Sequence, residues 1–222
     1  MDDRIRKLRT YIESDLQWLC AAHDFYHIDR VQKLAEYILN QEGGGNMTVV
    51  QAGALCHEFF DEKFFSQQEL TCRNETLLKS LQNCGFSHEE IEAILFIAKN
   101  VWYGKSLERT KDFPNTREFS SVEDADRLEA IGAIAIARTF TFGWKRNRAI
   151  YDPSESPRIL TDQKSYHEGS PSSINHFYEK LLSLKDTLHT DSAREIAKTR
   201  HEFMELFLKQ FYLEWNLEDL NV

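Results

Sequence analysis

The sequence contains little glycine and proline, with 9 and 4 of these residues among 222. This scarcity excludes a collagen-like chain and disfavours a linker-rich protein or an all-β fold with many turns. No apolar run approaches the ~20 residues that a membrane-spanning helix needs. The charged stretch at residues 1–15 lacks the apolar region of a signal peptide. We therefore expect a globular protein that has no membrane partner.

Paired cysteines and an excess of basic residues are also missing. The four cysteines are scattered without a CxxC pair, which disfavours a zinc ribbon and predicts reduced thiols in a cytoplasmic protein. Lys and Arg number 27 against 36 Asp and Glu, for a formal net charge of −9. Such an acidic chain lacks the electrostatic footprint of a protein that binds long nucleic acids. A few local cations or a metal could still hold a small phosphorylated substrate.

Helical periodicity is present along nearly the whole chain and predicts an all-α fold. Apolar residues recur at steps of three and four in 174–188 and 196–211, and Ser192 with Glu195 forms a candidate capping box before the last stretch. Loops are predicted at 41–46, 105–119 and 143–173, where glycines or prolines collect. We expect one domain, with a core at about 20–142, a long loop at 143–173 and a C-terminal helical pair at 174–215. This pair can cover the core or form a homodimer, and periodicity does not distinguish the two.

The first segment whose residues could bind a metal or a substrate contains His23 and His27. If it is helical, these imidazoles lie one turn apart on one face. Two histidines at this spacing can bind one metal, or one can bind metal while the other binds substrate. The alternative is a pair of ordinary surface or core histidines.

The second segment, 49–65, is strongly apolar but contains His57, Glu58 and Asp61. Burying an unpaired carboxylate is costly, so these groups need partners. A divalent cation is one such partner, and a salt bridge to Lys63 is another. Asp61 follows His57 by one helical turn and can share its face.

The third segment, 122–142, places acidic residues before an apolar stretch at 130–137, which we interpret as a central buried helix. Asp124 suits the start of a helix, where a negative charge is favourable. Capping explains Asp126 less well, because it lies deeper in the segment.

These segments together resemble the HD-domain phosphohydrolase superfamily, and more closely its small branch of HD hydrolases and nucleotide pyrophosphohydrolases. The resemblance covers nearly the whole chain. It depends on four segments in order: HDFYHIDRV at 23–31, CHEFFDEKF at 56–64, DADRLEAIGA at 124–133 and INHFYEKLL at 174–182. The family pattern has aspartate where this chain has Glu58 and Glu129.

The resemblance implies an all-α HD-domain bundle that binds one divalent metal. The implied ligands are His27, His57, Glu58 and Asp126, with Asp124 as the alternative to the last. Imidazole and carboxylate ligands suit manganese, our preferred metal, as well as nickel, cobalt, iron or zinc, and magnesium remains an option.

Other residues receive expected roles from their charge and local spacing. Asp61 could orient or deprotonate the attacking water, with Lys63 beside it. His23, Lys105 and Arg127 are candidates to bind the substrate and neutralise phosphate oxygens. Each of these could equally form an ordinary ion pair.

The function implied is hydrolysis of a nucleoside triphosphate to a monophosphate and pyrophosphate. One alternative is a catalytically impaired descendant that binds a nucleotide or a protein partner, and its main support is Glu58. The glutamate side chain reaches ~1.5 Å further than aspartate, whereas metal–ligand distances tolerate only ~0.2 Å. A weaker alternative is a diesterase acting on a cyclic or oligomeric nucleotide.

Overall fold

A computed structural model describes residues 2–16, 24–60 and 65–221. These residues form α-helices joined by loops and short 3₁₀ segments, so the predicted all-α fold is confirmed. The α-helices are α1 (Asp3–Asp15), α2 (Phe25–Gln41), α3 (Met47–Cys56), α4 (Gln67–Cys84), α5 (His88–Asn100), α6 (Tyr103–Ser106), α7 (Arg117–Glu129), α8 (Ala133–Lys145), α9 (Gln163–His167), α10 (Ser173–Glu179) and α11 (Asp191–Trp215). The 3₁₀ segments are Leu181–Thr187 and Glu218–Asn221.

The core is built around α2, α3 and α7, which pack against one another. Helix α5 packs on α3 and α7, and α11 packs on α7 and α2. Apolar side chains from α1 to α11 join one buried cluster, from Ile5 at one end of the chain to Leu208 at the other. None of the helices in the described ranges is long and apolar enough to cross a membrane.

Several helix boundaries follow from local sequence signals. Asn46 caps α3 by accepting a hydrogen bond from the backbone N–H of Val49. Helix α2 ends at Gln41, and Gly43 and Gly44 then adopt positive φ angles of 91° and 80°. These two glycines confirm the loop predicted at 41–46, since residues with a side chain rarely adopt this backbone conformation.

The predicted central helix through 130–137 is wrong. Helix α7 ends at Glu129 and α8 begins at Ala133, and between them Gly132 has a φ of +89°. A Cβ atom at Gly132 would lie 3.1 Å from the Arg200 side chain, which is tighter than an ordinary contact, and the positive φ angle would strain a residue with a side chain. The buried helix is instead α7, while the α8 residue Ile134 is 46% exposed.

Other boundaries also differ from the sequence-based prediction. Thr190, rather than Ser192, caps α11 by accepting a hydrogen bond from the backbone N–H of Ala193. Helix α6 and the first turn of α7 occupy the ends of the loop predicted at 105–119, and α9 lies within the loop predicted at 143–173. The C-terminal pair is formed by α10 with its 3₁₀ extension and by the longer α11.

Candidate metal centre and adjoining cavity

Four side chains from three elements meet at the centre of the core. His27 lies in the first turn of α2 and is fully buried. His57 and Glu58 follow directly after α3 ends at Cys56, and both are buried. Asp126 projects from α7 and is 27% exposed, so the cluster reaches solvent on the side of this carboxylate. Because α2, α3 and α7 pack together, residues distant in sequence become neighbours here.

The potential ligand atoms of this cluster point toward one another. The Nε2 atoms of His27 and His57 are 3.1 Å apart. Glu58 Oε1 lies 3.4 Å from the first and 3.7 Å from the second of these nitrogens. Asp126 Oδ1 lies 3.5 Å from His27 Nε2 and 3.8 Å from His57 Nε2. The longer glutamate side chain therefore reaches the cluster.

These separations fit a shared metal ion. Two ligand atoms that each lie ~2.1 Å from one metal, at angles of about 90–110°, are about 3.0–3.4 Å apart. The separations in the cluster begin in this range and exceed it by a few tenths of an ångström. Two nitrogen and two oxygen donors are also a chemically competent ligand set for a divalent transition metal.

The other ring nitrogen of each histidine is held by a neighbour. His57 Nδ1 lies 2.7 Å from the carbonyl oxygen of Ala54, to which it donates when it carries the proton. His27 Nδ1 lies 3.4 Å from Glu129 Oε2. With Nδ1 protonated, each ring presents the lone pair of Nε2 to the cluster, which is the usual arrangement of histidines that bind a metal.

The charges around His27 favour a cation at the centre of the cluster. Burial and the charge of Arg138 lower the pKa of His27, but hydrogen bonds with Asp126, Glu129 and Glu58 outweigh them and raise it to about 9. Burial lowers the pKa of His57. Burial tends to raise the pKa of Asp126, yet its interactions with the two histidines bring that pKa below its usual range. A divalent metal would satisfy these carboxylates in place of the proton.

A cavity of about 570 Å³ approaches the cluster at Glu129, and none of the four candidate ligands is among the residues that line it. Glu129, whose carboxylate contacts His27, forms part of its wall. The remaining wall comes from α8, α10 and the segment between α8 and α10. The cationic side chains that line it are Arg138, Arg146, Arg148, Arg158 and Lys180.

Three of these cations are engaged by neighbouring groups, and the first, Arg138, donates to the carbonyl oxygen of Glu129 at 2.9 Å. Arg158 binds Glu179 through its backbone N–H at 3.0 Å and through its guanidinium at 3.2 and 3.3 Å. Lys180 donates to the hydroxyl of Tyr166. The half-buried guanidinium of Arg148 has no hydrogen bond or ion pair within the described ranges. Burial lowers its pKa, and the nearby charge of Glu179 opposes this only in part. Arg148 is therefore the cation best placed to receive an anion in the cavity.

Asp124, the alternative metal ligand, lies elsewhere. Its carboxylate accepts hydrogen bonds from the backbone N–H groups of His189 and Thr190 and from the Thr190 hydroxyl, at 2.7–3.1 Å. It occupies the middle of α7, so it does not cap the helix. Asp124 connects α7 to the start of α11.

Two of the predicted substrate-binding residues occupy other surroundings. Arg127 is buried and donates to the carbonyl oxygen of Thr187 and to Glu123, at 2.6 and 2.9 Å. The Lys105 ammonium lies 5.4 Å from the Trp102 ring centre and lines a separate cavity of about 430 Å³. Neither residue is among those that line the larger cavity.

The remaining predicted site residues, His23, Asp61 and Lys63, lie outside the described residues. Their predicted roles stay predictions. Sequence reasoning gave no role to Arg138 and Arg148, because these residues belong to none of the motifs. Their common signal is the concentration of arginine at 138–158, in a chain that is acidic overall.

Comparisons with known proteins identify the family. No protein-family model matches the sequence. The chain is 32% identical to YpgQ of Bacillus subtilis (strain 168) over 204 residues, which cover 92% of this chain and 90% of YpgQ. The crystal structure of YpgQ in complex with ADP aligns with a TM-score of 0.71 and 30% identity, over 95% of this chain and 97% of that one.

Two further solved structures are similar over almost their whole length. A protein from Lactobacillus plantarum aligns with a TM-score of 0.86 and 30% identity, over 98% of this chain and 99% of that chain. An HD-superfamily hydrolase from Bacillus thuringiensis aligns with a TM-score of 0.70 and 36% identity, over 96% and 97% of the two chains. The cluster of histidines and carboxylates thus lies within a fold shared with these proteins, and the chain belongs to the HD-superfamily hydrolases.

Proposed function

We propose that this hydrolase is a metal-dependent phosphohydrolase that converts a nucleoside triphosphate to a monophosphate and pyrophosphate. The observation that carries the proposal is the convergence of His27, His57 and Glu58, whose ligand atoms all lie within 4.8 Å of one another, with Asp126 beside the two imidazoles. A shared divalent cation would compensate the charges of the two carboxylates and would bind the lone pairs of the two buried imidazoles at the same time. Phosphoryl hydrolysis is a reaction that such a cation serves.

A metal held by these four residues would polarise a phosphoryl oxygen and would lower the pKa of a bound water. The mixed nitrogen and oxygen donors suit manganese, which is our first expectation, and also nickel, cobalt, iron or zinc. The exposed side of Asp126 leaves a path by which a substrate can approach. The buried histidines shield the opposite side from solvent.

A nucleotide is the substrate class that the adjoining cavity supports best. Its volume of about 570 Å³ falls within the ~300–1,000 Å³ that is usual for small-molecule sites. Arginine binds phosphate oxygens well, because its planar guanidinium donates two parallel hydrogen bonds. The guanidinium of Arg148 makes no hydrogen bond within the described ranges, so its donors are available to a phosphate. YpgQ, which shares the fold, forms a complex with ADP. These observations favour a substrate with a phosphate chain next to the cluster.

In the proposed reaction, water attacks the phosphorus of the α-phosphate. A new P–O bond forms to the water oxygen, and the bond from phosphorus to the bridging oxygen breaks. Pyrophosphate leaves with the electron pair, and the proton of the water passes to a base. Asp61 is our candidate for that base and Lys63 for a cation beside it, because both directly follow the segment that carries His57 and Glu58.

The test is a panel of nucleotides assayed with several divalent metals, with pyrophosphate and orthophosphate measured separately. We expect pyrophosphate in amounts equal to the monophosphate, and none from a His57→Ala variant. Orthophosphate released stepwise would replace the proposed reaction with a phosphatase reaction. A metal-loaded protein that binds nucleotides without turnover would support the alternative of a binding protein.

A further inference from the structure

His27 contacts not only the other candidate ligands but also Glu129, which is paired with Arg30. His27 and Arg30 lie one turn apart on α2, and Asp126 and Glu129 lie one turn apart on α7. The two helices pack against each other, so these pairs face one another across the helix interface. Side chains three residues apart share a helix face, which explains why both pairs meet.

The distances connect the two pairs through His27. His27 Nε2 faces Asp126 at 3.5 Å, and His27 Nδ1 faces Glu129 at 3.4 Å. Arg30 Nε donates to the same Glu129 oxygen at 2.7 Å. Glu58 stands 3.4 Å from Nε2, so carboxylates lie at both ends of the ring. The imidazole is fully buried, and its orientation is determined by these contacts.

Glu129 is itself held in place. Its side chain is only 2% exposed, whereas that of Arg30 is 34% exposed. The ion pair between Arg30 Nε and Glu129 Oε2, at 2.7 Å, keeps this buried carboxylate charged. A charged carboxylate accepts a hydrogen bond from a ring N–H and so fixes both the tautomer and the angle of the ring.

We propose that Glu129, held by Arg30, is a positioning residue that fixes His27 for metal binding. The proposal rests on the metal site of the proposed function and extends it to residues that do not touch the metal. Glu129 favours the tautomer in which Nδ1 carries the proton, so that Nε2 presents its lone pair to the cluster. Partners of this kind typically contribute 10- to 100-fold to metal affinity.

The test compares the metal affinity of folded variants by titration calorimetry. Glu129→Gln keeps the size of the side chain but removes its charge, and we expect a metal Kd raised ~10- to 100-fold. Arg30→Gln should give a smaller increase, because Glu129 remains. The double variant should bind no more weakly than Glu129→Gln alone, since Arg30 acts through Glu129. If Glu129→Gln does not fold, the partly exposed Arg30 still provides a test through its own variant.

Glu123→Gln is the matched control. Glu123 is a buried glutamate on the same helix that pairs with Arg109 and Arg127 and is not in contact with the cluster. Its loss should lower the Tm but leave the metal Kd unchanged. An equal loss of affinity in this control would show that Glu129 acts only through general stability and would overturn the proposal.

A spectroscopic measurement separates positioning from stability. In the zinc-loaded protein, the ¹⁵N shifts of the His27 ring should show a protonated Nδ1 and a ligated Nε2, and Glu129→Gln should perturb them. Unchanged shifts together with an unchanged Kd would refute the positioning role. A wild-type protein that binds no metal would instead refute the proposed function.

Discussion

Shortening Glu58 is the most direct perturbation of the candidate metal centre. In the structure its Oε1 atom lies 3.4 Å from His27 Nε2, at the upper end of the range for a shared metal, and 3.7 Å from His57 Nε2, a few tenths of an ångström beyond it. A Glu58→Asp change withdraws the carboxylate by ~1.5 Å, the length of one C–C bond. Metal–ligand distances tolerate only ~0.2 Å, so the shorter side chain loses contact unless the backbone moves.

The loss of affinity follows from this geometry. Loss of a residue that hydrogen-bonds to a metal ligand typically weakens metal affinity ~10- to 100-fold. Loss of a ligand itself should therefore raise the metal Kd at least ~100-fold. At about 1.4 kcal/mol per tenfold change, this equals ~2.8 kcal/mol of binding free energy. Glu58→Gln keeps the length but removes the charge, and it should also weaken binding.

The assay is competition calorimetry against a chelator of known affinity, accompanied by turnover of the preferred nucleotide. We expect Glu58→Asp to lose both metal and activity, while its Tm with excess chelator stays close to wild type. A variant that gained metal affinity and turnover would refute the reasoning. That result would mean that the natural protein has a decayed site and functions as a binding module.

Further substitutions separate the roles assigned to individual side chains. His57→Ala should abolish metal binding, because a methyl group cannot replace an imidazole ligand, and full occupancy by elemental analysis would contradict this. Asp61→Asn should retain metal but lower kcat by ~10²–10⁴, the usual contribution of an acid–base group, and an unchanged rate would leave Asp61 a structural role. Arg148→Met should raise the KM for a nucleoside triphosphate ~10-fold, because one charged hydrogen bond of ~1.5 kcal/mol is lost, with no change in metal Kd; an unaltered KM would exclude it from substrate binding. Asp124→Asn should lower the free energy of unfolding by ~2 kcal/mol in chemical denaturation, and loss of metal from the folded variant would make it a ligand after all.

The sequence predicted much of the fold because helical periodicity and turn signals act locally. The loop at 41–46 was predictable from its glycines, and the structure places positive φ angles at Gly43 and Gly44. The break between α7 and α8 was not, since the residues around Gly132 are apolar and look helical. Beside this turn, Arg200 of α11 donates a hydrogen bond to the carbonyl oxygen of Leu128. A contact between residues so far apart in sequence leaves no local pattern.

The same limit applies to the candidate site. The spacing of Asp124, Asp126 and Arg127 shows that the first and last share one face of a helix and that Asp126 lies on another, but not which face meets the histidines. The role of each residue follows instead from contacts with residues that are distant in sequence. Asp124 binds the backbone at 189–190 and Arg127 binds the carbonyl oxygen of Thr187, while Asp126 faces His27. Sequence reasoning could assign these roles only by resemblance to a family.

The position of Glu58 outside a helix explains how a longer ligand can fit. The spacing of His57 and Asp61 had suggested a continuing helix, but α3 ends at Cys56 and residues 57–60 form a turn. A turn is not bound by the hydrogen-bond ladder of a helix, so its backbone can be set back to suit the side chain it carries. The carboxylate of Glu58 then meets the two imidazoles at distances close to those of Asp126. Because the carboxylate of Glu58 already reaches both imidazoles, a return to the shorter aspartate should weaken the metal site rather than restore it.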